Sequence, residues 1–176
     1  MGKYSQDPRI LILTEDYYGK PFFKKLISRL KREKIIPTTT SIDAKWFPGK
    51  CNTKLYRIIN ATVAPFSERI GNIIIVADAE GEDIDLAIKQ LKMHIPSNAE
   101  KIVHYIIFDY CIEEWICEGL GIKVKGSPLE QLKNYMRRTK NIDYEKHMLP
   151  EFAEKIDLSL LMNNKKFREF INILTK

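Results

Sequence analysis

Four short runs rich in Ile, Val and other strand-forming residues punctuate the first two thirds of the chain: residues 9–14, 35–42, 73–77 and 102–108. In Ile10-Leu11-Ile12-Leu13 and Ile73-Ile74-Ile75-Val76-Ala77 the apolar residues are continuous rather than alternating. That pattern marks strands covered on both faces, the situation of a parallel sheet sandwiched between helices. The intervening segments are long enough for crossover helices, so the order reads β-α-β-α-β-α-β. The expected fold class is therefore α/β, with a mainly parallel, four-stranded, Rossmann-like sheet flanked by helices. In open sheets of this kind ligands bind beyond the carboxyl ends of the strands.

The helices have their own signatures. After the first run, Phe22, Phe23, Leu26, Ile27 and Leu30 recur at helical spacing, with Lys20, Lys24, Lys25, Arg29, Lys31 and Arg32 on the other side and Pro21 in the first turn. Further helices are expected at 52–62 and 83–93. Beyond Asp109 the pattern turns helical throughout, at 112–118, 128–139 and in a group spanning 146–174. Ser127-Pro128 suits an N-cap followed by a proline at the first helical position, and Asp157 and Asn163-Asn164 suit further helix starts or stops. At 176 residues and 44% apolar composition the chain can bury one sizeable core. A single domain over 1–176 is expected, with an α/β core at 1–110 and a helical extension at 111–176 packed on it.

The net charge of +6 and pI near 9.1 suit a polyanionic partner, and equally suit a lysine-rich surface kept for solubility. Cys51, Cys111 and Cys117 form no CxxC pair, which argues for a reducing compartment and against zinc. No stretch approaches the ~18 consecutive apolar residues of a membrane span, and residues 1–8 are too short and polar for a secretory signal. No membrane partner and a cytoplasmic location are expected.

Chemistry is concentrated where two of the runs end. Glu15 follows the first, and Asp78 and Glu80 follow the third. Carboxylates meeting at one sheet edge repel one another unless a cation or a shared proton holds them together. An oxygen-only donor set with few histidines suits Mg²⁺, with Mn²⁺ as the other candidate. The plainer reading is that these acids cap helices or face solvent in loops. Lys20, Lys24 and Lys25 stand just beyond the acidic turn, where phosphates would need cationic neighbours, although an ordinary solvated helix face has the same composition. Tyr17 and Tyr18 are candidates for stacking on an unpaired base, or for packing at the domain edge. Gly49-Lys50 is not a phosphate-binding loop, because Ala44 stands where its first glycine should be and Cys51 follows the lysine. His104 reads as packed or surface-exposed, Cys111 and Cys117 as small residues on an apolar helix, and Trp115 as core.

Taken in order, these segments resemble a known family. Thr14-Glu15-Asp16, Gly19-Lys20 and Pro21-Phe22-Phe23 resemble the first motif of Toprim domains, and Ile74-Ile75-Val76-Ala77-Asp78-Ala79-Glu80 resembles the second, an apolar strand ending in Asp-x-Asp. Ile112-Glu113-Glu114-Trp115 resembles the Glu-x-Trp helix start of small stand-alone Toprim-like proteins related to the nuclease region of OLD-family proteins. Tyr144-Glu145-Lys146, Ile156-Asp157-Leu158 and Phe167-Arg168-Glu169-Phe170 are similar to that subgroup's C-terminal pattern. The resemblance implies a Toprim-like sheet, Mg²⁺ binding and phosphoryl transfer on nucleic acid. It also implies Glu15 as general acid/base, Asp78 and Glu80 as metal ligands, and Glu113 as a contributor to a second metal. One departure stands out: the second Asp of Asp-x-Asp is Glu80 here, and an added methylene moves the carboxylate by roughly 1 Å, the scale on which catalytic geometry fails. Glu82 and Asp83 are near enough in sequence to substitute in part.

The leading expectation is a Mg²⁺-dependent nuclease or related phosphodiester-processing enzyme acting on DNA or RNA. The alternative is a catalytically inactive Toprim-like module that binds nucleic acid or a partner protein such as an ATPase. A third reading gives the helical C-terminal region a homodimer surface. A receiver-like phospho-acceptor domain also has acids after strands one and three, but offers no role for the Glu113-Glu114-Trp115 helix.

Overall fold

The computed structural model describes residues 9–65 and 69–176; the polar stretch 1–8, read above for a leader, lies outside them. Four strands form one sheet: β1 (Arg9–Thr14), β2 (Ile42–Trp46), β3 (Ile70–Asp78) and β4 (Val103–Phe108). Their order is β2-β1-β3-β4, and every neighbouring pair is parallel. The fold is therefore α/β and Rossmann-like, as expected. The chain leaves β1 toward one edge to make β2, then returns past β1 to build β3 and β4 on the other side. The reversal falls between β1 and β3, the switch point where open sheets of this type bind ligands.

Continuous apolar runs were the sign of a doubly covered sheet, and both faces are covered. On one face Ile10, Ile12, Ile74, Val76, Ile106 and Phe108 join a cluster with α1 (Gly19–Arg32) and residues of the C-terminal helices. On the other face Leu11, Leu13, Ile73, Ile75, Ala77 and Ile107 pack with α2 (Lys54–Thr62) and α3 (Ile84–Lys92). The C-terminal part comprises α4 (Glu113–Gly119), α5 (Pro128–Lys140), α6 (Leu149–Lys155), α7 (Leu158–Leu161) and α8 (Lys165–Thr175), with a single 3₁₀ turn at Lys146–Met148 before α6. Ser127, Asp157 and Asn164 cap α5, α7 and α8 through their side chains, each accepting from a backbone amide of the first turn. Trp115 is fully buried in an aromatic box of Phe23, Phe108, Phe167 and Phe170, with ring centroids 5.0–6.3 Å away.

The second strand is displaced from its expected position. Residues 35–41 are not extended in the sheet, and β2 is Ile42–Trp46 instead. The cause is the end of α1. Lys34 takes a left-handed conformation (φ 60°), and the amides of Lys34 and Ile35 donate back to the carbonyls of Lys31 and Leu30, at 3.1 and 2.9 Å. That is a Schellman closure. It leaves Ile36 buried as the helix's apolar tail rather than as a strand residue. Pro37, which has no N–H to give a ladder, opens a turn closed by Thr40 N–H on the Pro37 carbonyl. Arg29 also departs from a purely solvated helix face: its guanidinium donates to the carbonyls of Ala153 and Ile156, at 3.0 and 2.7 Å, and so ties α1 to the end of α6. No helix among the described residues is long and apolar enough to cross a membrane.

Candidate functional site

Strand β1 ends at Thr14, whose register partners are Trp46 of β2 and Val76 of β3. Glu15 continues the ladder for one more residue, its N–H donating to the Val76 carbonyl at 3.0 Å. Its carboxylate is then held across the switch point. Oε2 accepts from Asp78 N–H at 3.2 Å, and Oε1 accepts from Lys50 N–H at 3.3 Å. The Lys50 ammonium lies 3.6 Å from Oε2 and donates to the Asp78 carbonyl at 2.5 Å. Residues 63 positions apart are thus clamped by one lysine. Gly49 precedes that lysine at φ 109°, a conformation that favours glycine, and lies against Glu15 Oε1.

The next residue does a second job. Asp16 Oδ1 accepts the amides of Tyr18 and Gly19 at 2.8 and 3.1 Å, and so turns the chain into α1. Oδ2 pairs with Lys146 at 2.6 Å. Lys146 reaches in from the 3₁₀ turn and also contacts both oxygens of Glu113, at 2.9 and 3.0 Å. Glu113, in the first turn of α4, is fully buried and receives a further hydrogen bond from the Tyr144 hydroxyl at 2.9 Å. A buried carboxylate with two such donors is compensated; without them it would carry a large desolvation cost.

Asp78 closes β3 among these groups. Burial pushes its carboxyl up to about 8, the neighbouring Glu15, Glu113 and Asp16 add to the rise, and Lys146 opposes it. Burial works against the ammonium of Lys146, but Glu113 and Asp16 prevail and hold its pKa above the ordinary value. Burial and Glu113 also push the Tyr144 hydroxyl and the Cys111 thiol up, so both stay protonated. Four carboxyl groups, those of Glu15, Asp16, Asp78 and Glu113, face two lysines, Lys50 and Lys146. Among the described residues two acids are left over, and Asp78, whose pKa is raised chiefly by burial, carries less of that negative charge than a simple count gives.

The expected site residues divide into three groups. Glu15 and Asp78 are brought into direct contact, and Glu113 stands in the same electrostatic neighbourhood. Glu80 is exposed, in a left-handed conformation (φ 56°) within the turn that follows β3, its N–H donating to the Tyr110 carbonyl at 3.1 Å. Glu82 is exposed in the same turn, and Asp83 accepts from Asp85 N–H as the N-cap of α3. Lys20, Lys24 and Lys25 are exposed on the first turns of α1, Lys24 lying 3.5 Å from Asp43. Among the described residues, no group of three or more His, Cys, Asp or Glu is arranged to hold a metal ion.

Residue-by-residue reading passed over four participants. Lys50 was set aside with the failed phosphate-loop motif, although its glycine was a usable sign of a special backbone position. Asp16 was one acid beside another. Tyr144 and Lys146 stood only as part of a C-terminal resemblance, with no role attached. Searches beyond the chain add nothing to the geometry: no family model, no curated protein and no solved structure matches it.

Proposed function

We propose that this protein is a Mg²⁺-dependent phosphoryl-transfer protein acting on nucleic acid, a nuclease of Toprim-like type. The observation that carries the reading is the hydrogen bond from the Asp78 backbone N–H to the Glu15 carboxylate, which sets the two acidic residues side by side at the switch point of a parallel sheet. The donors at this edge are oxygen atoms, the set that a hard divalent cation prefers. Asp78 would contribute to holding it, with Glu15 beside it left for the acid/base role. When bound, Mg²⁺ would polarise a phosphoryl oxygen and activate water.

The remaining roles belong to the chain. Glu15, oriented by two backbone amides and Lys50, positions the attacking water and accepts its proton. Lys146 delivers positive charge from the opposite wall, where charge develops on the phosphoryl oxygens. Lys20, Lys24 and Lys25 neutralise flanking phosphates on the approach.

The test is nicking of labelled single- and double-stranded DNA and RNA with Mg²⁺ or Mn²⁺, beside a Glu15→Gln protein. Cleavage that needs metal and drops at least about a hundredfold in the variant is expected, on the scale of a lost general base. Unchanged cleavage would remove Glu15 from the chemistry. A second reading, a catalytically silent module that binds nucleic acid or a partner protein, is favoured by Lys146, which already occupies the space between Asp16 and Glu113 as a built-in cation. In the same assay it predicts retention of the strand without turnover, with either metal.

A further inference from the structure

We propose that Tyr17 and Trp46 form a stacking platform for an unpaired base, so that the acidic edge beside them works on single-stranded rather than fully paired nucleic acid. The proposal deepens the nucleic-acid reading above and rests on it. Isolated exposed apolar residues are ordinary on protein surfaces. These two are not isolated. Tyr17 is 65% exposed and Trp46 39%, and their rings meet edge to face at 5.7 Å between centroids. Tyr17 also meets Tyr18 edge to face at 5.3 Å.

The indole is fixed from below. Its Nε1–H donates to the carbonyl of Glu15 at 3.0 Å, so the only polar atom of the ring is spent within the protein and its exposed surface is apolar. The bond also ties the platform to the residue whose carboxylate abuts Asp78. On the other flank of the acids, Tyr110 is 41% exposed and packs over Gly81, where a β-carbon would stand 3.0 Å from its ring. Along the carboxyl edge of the sheet the sequence of features is therefore aromatic (β2, β1), acidic (β1, β3), aromatic (after β4). Lys20, exposed in the first turn of α1, follows Tyr17 by three residues, whereas Lys45, though it precedes Trp46, lies on the opposite face of the sheet with Arg57 and Thr62 of α2.

Flat apolar rings close to the basic start of α1 match the alternation of base and phosphate in a single strand. A duplex keeps its base faces inside its own stack and has nothing to offer such a ring. A peptide partner would gain from the rings but not from the positive charge, unless it were acidic. The observations favour the nucleic acid.

The protein carries its own reporter. It has two tryptophans, and Trp115 is sealed in the core, so emission that responds to a ligand belongs to Trp46. The full chain would be titrated with a short oligothymidylate, the same strand with abasic sites throughout, and a fully paired duplex of two separate strands, reading anisotropy of a label and tryptophan emission. Thymidylate should quench the emission and bind roughly tenfold or more tighter than the abasic strand, as expected for one stacked base, while the duplex leaves the emission unchanged. Tyr17→Ala should erase the preference for thymidylate over abasic strand; Tyr17→Phe, which keeps the ring, should restore it, with unchanged thermal melting in both. Equal affinity for thymidylate and abasic strands, with binding intact, would overturn the platform and leave the nucleic-acid reading standing. Binding of no strand at all would overturn that reading and the platform with it.

Discussion

A carboxyl group that keeps its proton up to about pH 8 weakens the fold that contains it. For Asp78 the folded pKa lies above its ordinary 3.8, so between those two values the unfolded chain releases a proton that the folded protein retains. Stability attributable to this group is undiminished below about pH 4, falls as pH rises, and reaches its floor above about pH 8. Asp78→Asn removes the ionisation. It should leave stability at pH 4 nearly unchanged and raise it at pH 8 by on the order of 5 kcal/mol, as measured by urea unfolding at the two pH values. A gap of the same size at both would show that packing, not charge, is responsible. Glu15 and Asp78 were legible in the sequence because each ends a continuous apolar run, and strand ends at a switch point converge. Asp16 was not, because two adjacent acids look alike until one of them accepts the first amides of a helix. Lys146 was not, because its ion pair with Asp16 spans 130 residues.

At the scale of elements, the junction between β1 and α1 governs the site, since Glu15 and Asp16 both lie in it. Gly19 makes the junction possible: a β-carbon there would overlap the hydroxyl of Thr14, which is itself 1% exposed. Gly19→Ala should therefore cost roughly 1–3 kcal/mol, the range for forced overpacking, seen as a lowered melting temperature. Adding Thr14→Ala should recover part of it. If the single change is silent, the helix start has room that the geometry denies. Helix positions were readable because their apolar spacing and caps agree. The start of β2 was not, since a β-branched run after a helix reads as a strand whether it pairs in the sheet or only buries Ile36 under the helix end.

For the molecule as a whole, the net charge of +6 is not spread evenly over its chemistry: the acids gather at the sheet edge and Lys20 and Lys24 stand on the helix beside it. If those lysines meet phosphates, affinity for a single strand falls with salt, and Lys20→Ala/Lys24→Ala flattens the plot of log affinity against log salt by up to about 1.4, two phosphates' worth. Anisotropy titrations at several salt concentrations read the slope directly, and an unaltered slope would free both residues from the interface. One apolar cluster runs from Ile10 through α1 to Leu174, so core and C-terminal helices share their packing. Composition could not reveal that, since it reports how much apolar surface exists but not which segments share it.

The reach of Lys146 into Asp16 and Glu113 has a consequence for truncated chains. In chain order all four strands, and Asp16 with them, precede the residue that pairs with that acid from 130 positions away. A chain that stops short of residue 146 holds Asp16 without its ammonium partner, so the charge balance of this edge is settled by a segment outside the sheet.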